Sequence, residues 1–353
     1  MSLSEHRQAI DQLDTQIVRL LNDRTRHVLA IGEINLAAGE EIYAPHRERA
    51  VFDRVCKLNA GPITGEQLRA IYREIMSSAL ALEKTMTIAY FGPAASFTHQ
   101  AAIQKFGASL NYSAQKTIAD VFTEVAQKRA DYGVVPVENS TGSGVTHTLD
   151  LFVDSELKII SQALLKIQPS LLSNAKLSKI KKLYAHPPAL AQCRNWLAKN
   201  LPRVEIVETP SNARAAELAA KGKSAAALGS VLAAEKYGLK VLAQDIQDHP
   251  VNGPRCLVLG RQCSPPTGDD RTSLLVSVAD QAGRLPAAIA AFRKFKMNAM
   301  KIESRPSQRK ARACFFSVDC AGHFQEAKVA KTIRQLGKHC NFVKILGSYP
   351  NVE

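Results

Sequence analysis

The stretch GVVPVENSTGSG, residues 133–144, carries an apolar run into Glu138, Asn139, Ser140 and Thr141 and then two glycines, with no lysine or arginine. An amide, two hydroxyls and backbone N–H groups opened by glycine suit a dicarboxylate without adding net charge. The bland alternative is a plain strand-to-helix connection. A nucleotide phosphate loop is excluded, because GxxxxGK[ST] is absent. A second group lies near the N-terminus, where Arg7, Arg24 and the pair Arg47-Glu48 interrupt or border apolar faces. Arg24 and Asn35 stand about three helical turns apart and share nearly one face. Singly, such residues are surface groups whose stems cover apolar edges. As a set, several guanidiniums and one carboxylate on the inner faces of a helical dimer make a polar pocket for a small polyanion. The 7 cysteines show no CxxC pair and no Cys/His ligand spacing, so free, mostly buried thiols and no metal site are expected.

The elements that must position these groups fall into three segments. Residues 4–38 carry Ile10, Leu13, Ile17, Leu20, Leu21, Val28 and Ile31 at helical spacing without an internal proline, which predicts a helix of roughly 50 Å. That is too long for a compact domain of its own, so a helical dimer or higher even homo-oligomer is expected. Pro45 opens a second helix over 46–59, GPIT breaks it, and a third runs over 64–85. From Thr87, short apolar strands (TIAYF, GVVPV, KLYA, VEIV, AAAL, CLVLG) alternate with helical stretches, which predicts an α/β layer fold with a mostly parallel sheet. RQCSPPTGDDR, 261–271, has the prolines, glycine and acids of a linker, and the remainder reads as βαββαβ.

Composition narrows the function classes. The chain has 353 residues, 46% hydrophobic, with a net charge of +14. Aromatics are only 6%, and the densest basic cluster, SQRKAR at 307–312, reads as a solvated loop rather than a nucleic-acid patch. The start, MSLSEHRQ, lacks a signal-peptide pattern and no apolar run is long enough to cross a bilayer, so a cytoplasmic protein without nucleic-acid or membrane partners is expected.

At this point several motifs converge. The arrangement Arg7, Arg24, Gly32, Arg47-Glu48 and Glu83 resembles the all-helical chorismate mutases. YFGPAASFTHQAA, ADYGVVPVENSTGSG and YAHPPALAQC look like prephenate dehydratase, and KIESRP followed by VKILGSYP is similar to the ACT domain that senses phenylalanine. In that order they resemble the bifunctional P-protein family of phenylalanine synthesis. The resemblance implies a helical mutase-like dimer domain over 1–86, a two-lobed, periplasmic-binding-protein-like dehydratase domain over 87–262 and an ACT regulatory domain over 263–353. It implies chorismate and prephenate as substrates, phenylalanine as effector and no cofactor.

By the same resemblance, Arg7 of a partner subunit, Arg24 and Arg47 hold carboxylates, Glu48 takes the ring hydroxyl, and Glu83 faces the ether oxygen, where it donates only while protonated. Ser96 and Thr98 face the Glu138–Thr141 turn across the dehydratase site, and Arg255 holds a carboxylate. Gly283, Leu285, Glu303, Ser304, Arg305 and Pro306 form the effector site.

The sequence also departs from that pattern. Asn35 stands where the family has a lysine, Ala44 and Ala79 replace polar residues, and Pro254-Arg255-Cys256 replaces Thr-Arg-Phe. Ala95, Ala185 and Pro188 differ as well, and Arg284 replaces an alanine at the effector site. These departures support an alternative: a catalytically impaired relative that keeps the fold and binds prephenate or phenylalanine.

Overall fold

The computed structural model describes residues 2–39, 43–137, 146–166, 168–248, 252–278, 283–306 and 314–351. They form two compact units, one comprising residues up to 87 together with 105–111, the other 88–104 with 112–353.

The helical unit begins with α1 (Leu3–Ala38), one continuous helix of 36 residues, or about 54 Å. Ser2 and Glu5 close a reciprocal capping box at its start, and Gly39, at φ 71°, ends it in the left-handed conformation. Pro45 opens α2 (Pro45–Leu58), since a first helical residue needs no N–H donor. Thr64 and Gln67 form a second capping box at α3 (Gly65–Glu83). The expected helix at 64–85 therefore starts and stops within two residues of its observed bounds. Ile10, Leu13, Ile17 and Leu20 of α1 remain exposed, at 51–65%.

The second unit opens on a lobe whose elements are β1 (Thr87–Phe91), α4 (Phe97–Phe106), β2 (Asn111–Gln115), α5 (Ile118–Ala126), β3 (Tyr132–Pro136), α6 (Thr146–Leu151) and β4 (Lys158–Lys166). The chain then enters a second lobe: β5 (Ser170–Leu172), β6 (Lys182–Ala185), α7 (Pro187–Gln192), α8 (Arg194–Asn200), β7 (Glu205–Glu208), α9 (Asn212–Ala220), β8 (Ala225–Gly229), α10 (Val231–Tyr237) and β9 (Val241–Ala243). It returns to the first lobe with β10 (Asn252–Gly260).

The sheet orders are β2-β1-β3-β10-β4 and β7-β6-β8-β5-β9. The expected mostly parallel sheet is thus two mixed sheets. β1 runs parallel to β3 and β6 parallel to β7 and β8, whereas β10 is antiparallel to β3 and β4, and β5 antiparallel to β8 and β9. The antiparallel strands are where the chain changes lobes: a strand entered by direct passage from the other sheet needs no helical crossover and is not bound to the parallel direction.

The C-terminal segment follows the βαββαβ order with β11 (Asp270–Val278), α11 (Arg284–Lys294), β12 (Ala299–Pro306), β13 (Cys314–Ala321), α12 (Ala327–Gly337) and β14 (Phe342–Pro350). Its sheet, β12-β13-β11-β14, is antiparallel at every pairing. One face buries Leu274, Val276 and Val318 against Phe292, Val329 and Leu336 of the two helices. The other face contributes Leu275, Leu346 and Tyr349 to the core of the first lobe, beside Val135, Ile159 and Leu257. The two sheets meet so closely that a Cβ on Gly347 would lie 2.0 Å from the Ile159 carbonyl oxygen.

Candidate active and effector sites

In the helical unit, Gly32 lets α1 approach α3. A Cβ there would lie 2.6 Å from Glu83 Oε2, so the carboxyl is pressed against the bare backbone of α1. Burial pushes the Glu83 carboxyl above its ordinary value. Arg24 is half-buried, and its Nη1 is enclosed with no hydrogen-bond partner among the described residues. Asn35 is half-buried and Arg47 and Arg7 are exposed. Glu48 is held by Tyr43, whose OH donates to Oε2 at 2.8 Å, and by Lys105, whose Nζ lies 2.7 Å from the same oxygen. No motif signalled Lys105 or Tyr43: Lys105 is 57 residues from Glu48, and Tyr43, though only five residues before it, lies outside the Arg47-Glu48 pair. Of the two departures, Ala79 is buried and Ala44 precedes α2 as its cap without a side-chain hydrogen bond.

In the α/β unit, Ser96 caps α4, its Oγ accepting from the His99 N–H at 3.3 Å, and Thr98 is buried. Ala95 takes φ 65° and its N–H donates to His99 Nδ1 at 3.0 Å. With Nδ1 accepting, the neutral ring carries its proton on Nε2. The ring stacks on Tyr90 at 4.4 Å, and burial, then Lys236, holds its pKa below the ordinary value. His99 is a polar group in this turn that sequence reasoning passed over; its place four residues after Ala95, on the first turn of a helix, was the available signal. Ala95 also packs among Leu172, Ala215, Ala216 and Ala233 of the second lobe, so the Ser96 turn faces that lobe. Ala185 is fully buried, and Pro188 is half-buried near the start of α7. Glu138, Asn139, Ser140 and Thr141 lie outside the described residues, as do the side chains of Pro254, Arg305 and Pro306.

Arg255, expected on a substrate carboxylate, is 6% exposed and held by protein acceptors: Nε donates to Gln162 Oε1 at 2.8 Å, Nη1 to Asp319 Oδ2 at 2.6 Å and Nη2 to Tyr349 OH at 2.7 Å. Ser273 Oγ donates to Asp319 Oδ1 at 2.6 Å, which leaves Tyr349 OH to donate to Ser273 at 2.7 Å. Burial, then Asp319, pushes the Tyr349 hydroxyl up to about 12. Every member of this network lies in a different strand: β4, β10, β11, β13 and β14. Cys256 beside it is fully buried with its thiol pushed up to about 12, which suits packing and not nucleophilic attack.

The motif expected to bind an effector, Glu303 to Pro306, is on β12. Glu303 is half-buried, its Oε2 3.1 Å from Lys301 Nζ, and it lines a cavity of about 10 Å³ together with Arg255, Ser273 and Asp319. Ser304 is exposed. Gly283 caps α11 at φ 84°, a conformation that favours glycine, while Arg284 is exposed and Leu285 packs against the helix-covered core. No helix among the described residues is long and apolar enough to cross a membrane, and no group of three or more His, Cys, Asp or Glu among them is placed to hold a metal ion.

An all-helical unit with a half-buried acid and a half-buried arginine, followed by a two-lobed α/β body and a βαββαβ module, defines a multi-domain protein. Comparison makes this specific. Residues 6–84 match the family model for chorismate mutase type II, and residues 88–264 that for prephenate dehydratase. A bifunctional chorismate mutase/prephenate dehydratase from Aquifex aeolicus is 46% identical over 99% of this chain and 98% of its own. Another from Neisseria gonorrhoeae is 41% identical over 99% and 97%. Among solved structures, prephenate dehydratase from Arthrobacter aurescens in complex with L-Phe has a TM-score of 0.70 and 32% identity, covering 75% of this chain and 90% of that one. The chain belongs to the bifunctional chorismate mutase/prephenate dehydratase family.

Proposed function

We propose that this protein rearranges chorismate to prephenate in its helical unit and converts prephenate to phenylpyruvate in its α/β lobes, as two steps of phenylalanine synthesis in the cytoplasm. The observation that carries the reading is a relation spanning 99% of the chain to a protein named for both activities. The rearrangement breaks one C–O bond and makes one C–C bond without a protein nucleophile, so the site must fold the substrate and stabilise charge on the ether oxygen. Glu83 serves that oxygen: burial raises its pKa, which favours the protonated form that can donate. Arg24, Arg47 and Arg7 of a second copy take the carboxylates, and Glu48 takes the ring hydroxyl. Asn35 donates a neutral hydrogen bond. The exposed apolar residues of α1 support a homodimer or higher even oligomer formed through this helix.

The second reaction releases carbon dioxide and, after proton transfer to the leaving hydroxyl, water. Ser96, Thr98, Asn139, Ser140 and Thr141, with Glu138, line that site in this reading. Arg255 is assigned to the frame beneath it, because its donors are engaged by Gln162, Asp319 and Tyr349. The βαββαβ segment over 263–353 is assigned as an ACT domain binding phenylalanine at Gly283, Leu285 and the Glu303-Ser304-Arg305-Pro306 motif, supported by a relative solved with L-Phe. With 1–86 and 87–262 it completes the three functional divisions.

The test supplies purified protein with chorismate, and separately with prephenate, and follows phenylpyruvate with and without phenylalanine. Turnover of both substrates is expected, faster in the second step for Pro254→Thr, which returns a hydroxyl to the motif. Absence of turnover of either substrate would instead favour the impaired, ligand-binding relative.

A further inference from the structure

Residues 105–111 belong to the compact helical unit, although the chorismate mutase match stops at residue 84 and these residues fall within the dehydratase match. They are fastened there by specific contacts. The Ala108 N–H donates to Glu74 Oε2 at 2.9 Å, the Ser109 N–H donates to Ser77 Oγ at 3.1 Å, and the Phe106 ring lies 4.9 Å from that of Tyr43. Gly107 adopts φ 78°, and a Cβ on it would lie 2.4 Å from Ser77 Cβ, so its backbone rests directly on α3. This mount delivers Lys105 Nζ to Glu48 Oε2, with the two side chains only 16% and 12% exposed. An exposed ion pair of this kind contributes little, but here neither partner has room to wander. Lys105 and Tyr43 both bind Oε2, and Oε1 takes no hydrogen bond among the described residues.

We propose that Lys105 is a positioning residue of the chorismate mutase site: with Tyr43 it pins Oε2 of Glu48 so that Oε1 faces the substrate ring hydroxyl. The mutase site thereby extends beyond its own sequence segment, and a lysine from the following segment brings to it a positive charge that Asn35 does not. This rests on Glu48 being the hydroxyl-binding carboxylate. A hydroxyl contact is made in both the bound substrate and the transition state, so its loss appears mainly in KM.

The experiment uses the full chain as Lys105→Met, Lys105→Arg, Glu48→Gln and the double variant Lys105→Met/Glu48→Gln, assaying mutase and dehydratase on the same preparations. Lys105→Met is expected to raise KM for chorismate about tenfold with a smaller change in kcat, the size of one charge-assisted hydrogen bond. Lys105→Arg restores most of the loss, dehydratase turnover is unchanged, and Lys105→Met adds nothing in the Glu48→Gln background. Unaltered mutase in Lys105→Met while Glu48→Gln is impaired would overturn the proposal and spare the role of Glu48. Multiplying effects in the double variant, or a parallel loss of dehydratase activity, would overturn it too. Full mutase activity in Glu48→Gln would instead remove the assignment of Glu48 on which the proposal stands.

Discussion

Glu83 shows how far a single position can be taken. Its place in the motif pattern demanded a protonated donor, and its packing against Gly32 supplies the cause, because burial disfavours the charged form and raises the pKa. The sign follows directly: the protonated fraction falls as pH rises through the raised value, so mutase kcat falls on the alkaline side. Glu83→Gln keeps a donor at every pH. It is expected to flatten that limb, losing activity at low pH and retaining it at high pH, as a kcat-against-pH profile of the two proteins will reveal. A profile of unchanged shape would remove Glu83 from the chemistry. Arg24 was equally legible as a type, but not the fact that its Nη1 is enclosed without a hydrogen-bond partner among the described residues, because enclosure depends on tertiary packing.

Elements were legible where local chemistry decides them. Apolar spacing marked α1, Pro45 and the GPIT break delimited α2 and α3, and the alternation of apolar runs foretold β1, β3, β6, β7, β8 and part of β10. Four strands gave too little local signal: β2 is polar, β5 and β9 have three residues each, and β4, in KIISQALLK, has a pattern equally suited to a helix. Two glycines separate close approach to a side chain from close approach to backbone. In Gly32→Ala the new methyl meets the far end of Glu83, which can swing aside. Thermal stability is therefore expected to hold or rise, helped by up to about 1 kcal/mol of helix propensity, while mutase kcat falls at least about tenfold as the donor is displaced. In Gly347→Ala the methyl meets the Ile159 carbonyl of β4, and no rotamer relieves it. A loss of about 3 kcal/mol or more is expected by urea denaturation, with β14 forced off β4. Equal stabilities of the two variants would contradict the distinction.

At the scale of the whole molecule, the order of helical, α/β and βαββαβ segments could be read from the sequence because each is a change of period. The Arg255 network could not, since its members sit at 162, 255, 273, 319 and 349 and no local pattern joins them. Its consequence is that the strand carrying the Pro254-Arg255-Cys256 motif and the sheet carrying the Glu303 motif share one buried ion pair, with Arg271 Nη1 a further 3.7 Å from the same Asp319 oxygen. Asp319→Ala leaves the Arg255 guanidinium buried without its carboxylate, a change that typically costs about 3–5 kcal/mol. The double variant Arg255→Met/Asp319→Leu removes both charges and is expected to recover most of that stability in urea denaturation, because a well-packed apolar pair replaces the desolvated ions. Stability and communication should then part company. If the ion pair couples β10 to the sheet that holds the Glu303 motif, and phenylalanine binds at that motif as proposed, the double variant folds and turns over prephenate, yet phenylalanine no longer shifts its KM. A double variant that regains stability and still responds to phenylalanine like the parent would confine the network to holding the two sheets together.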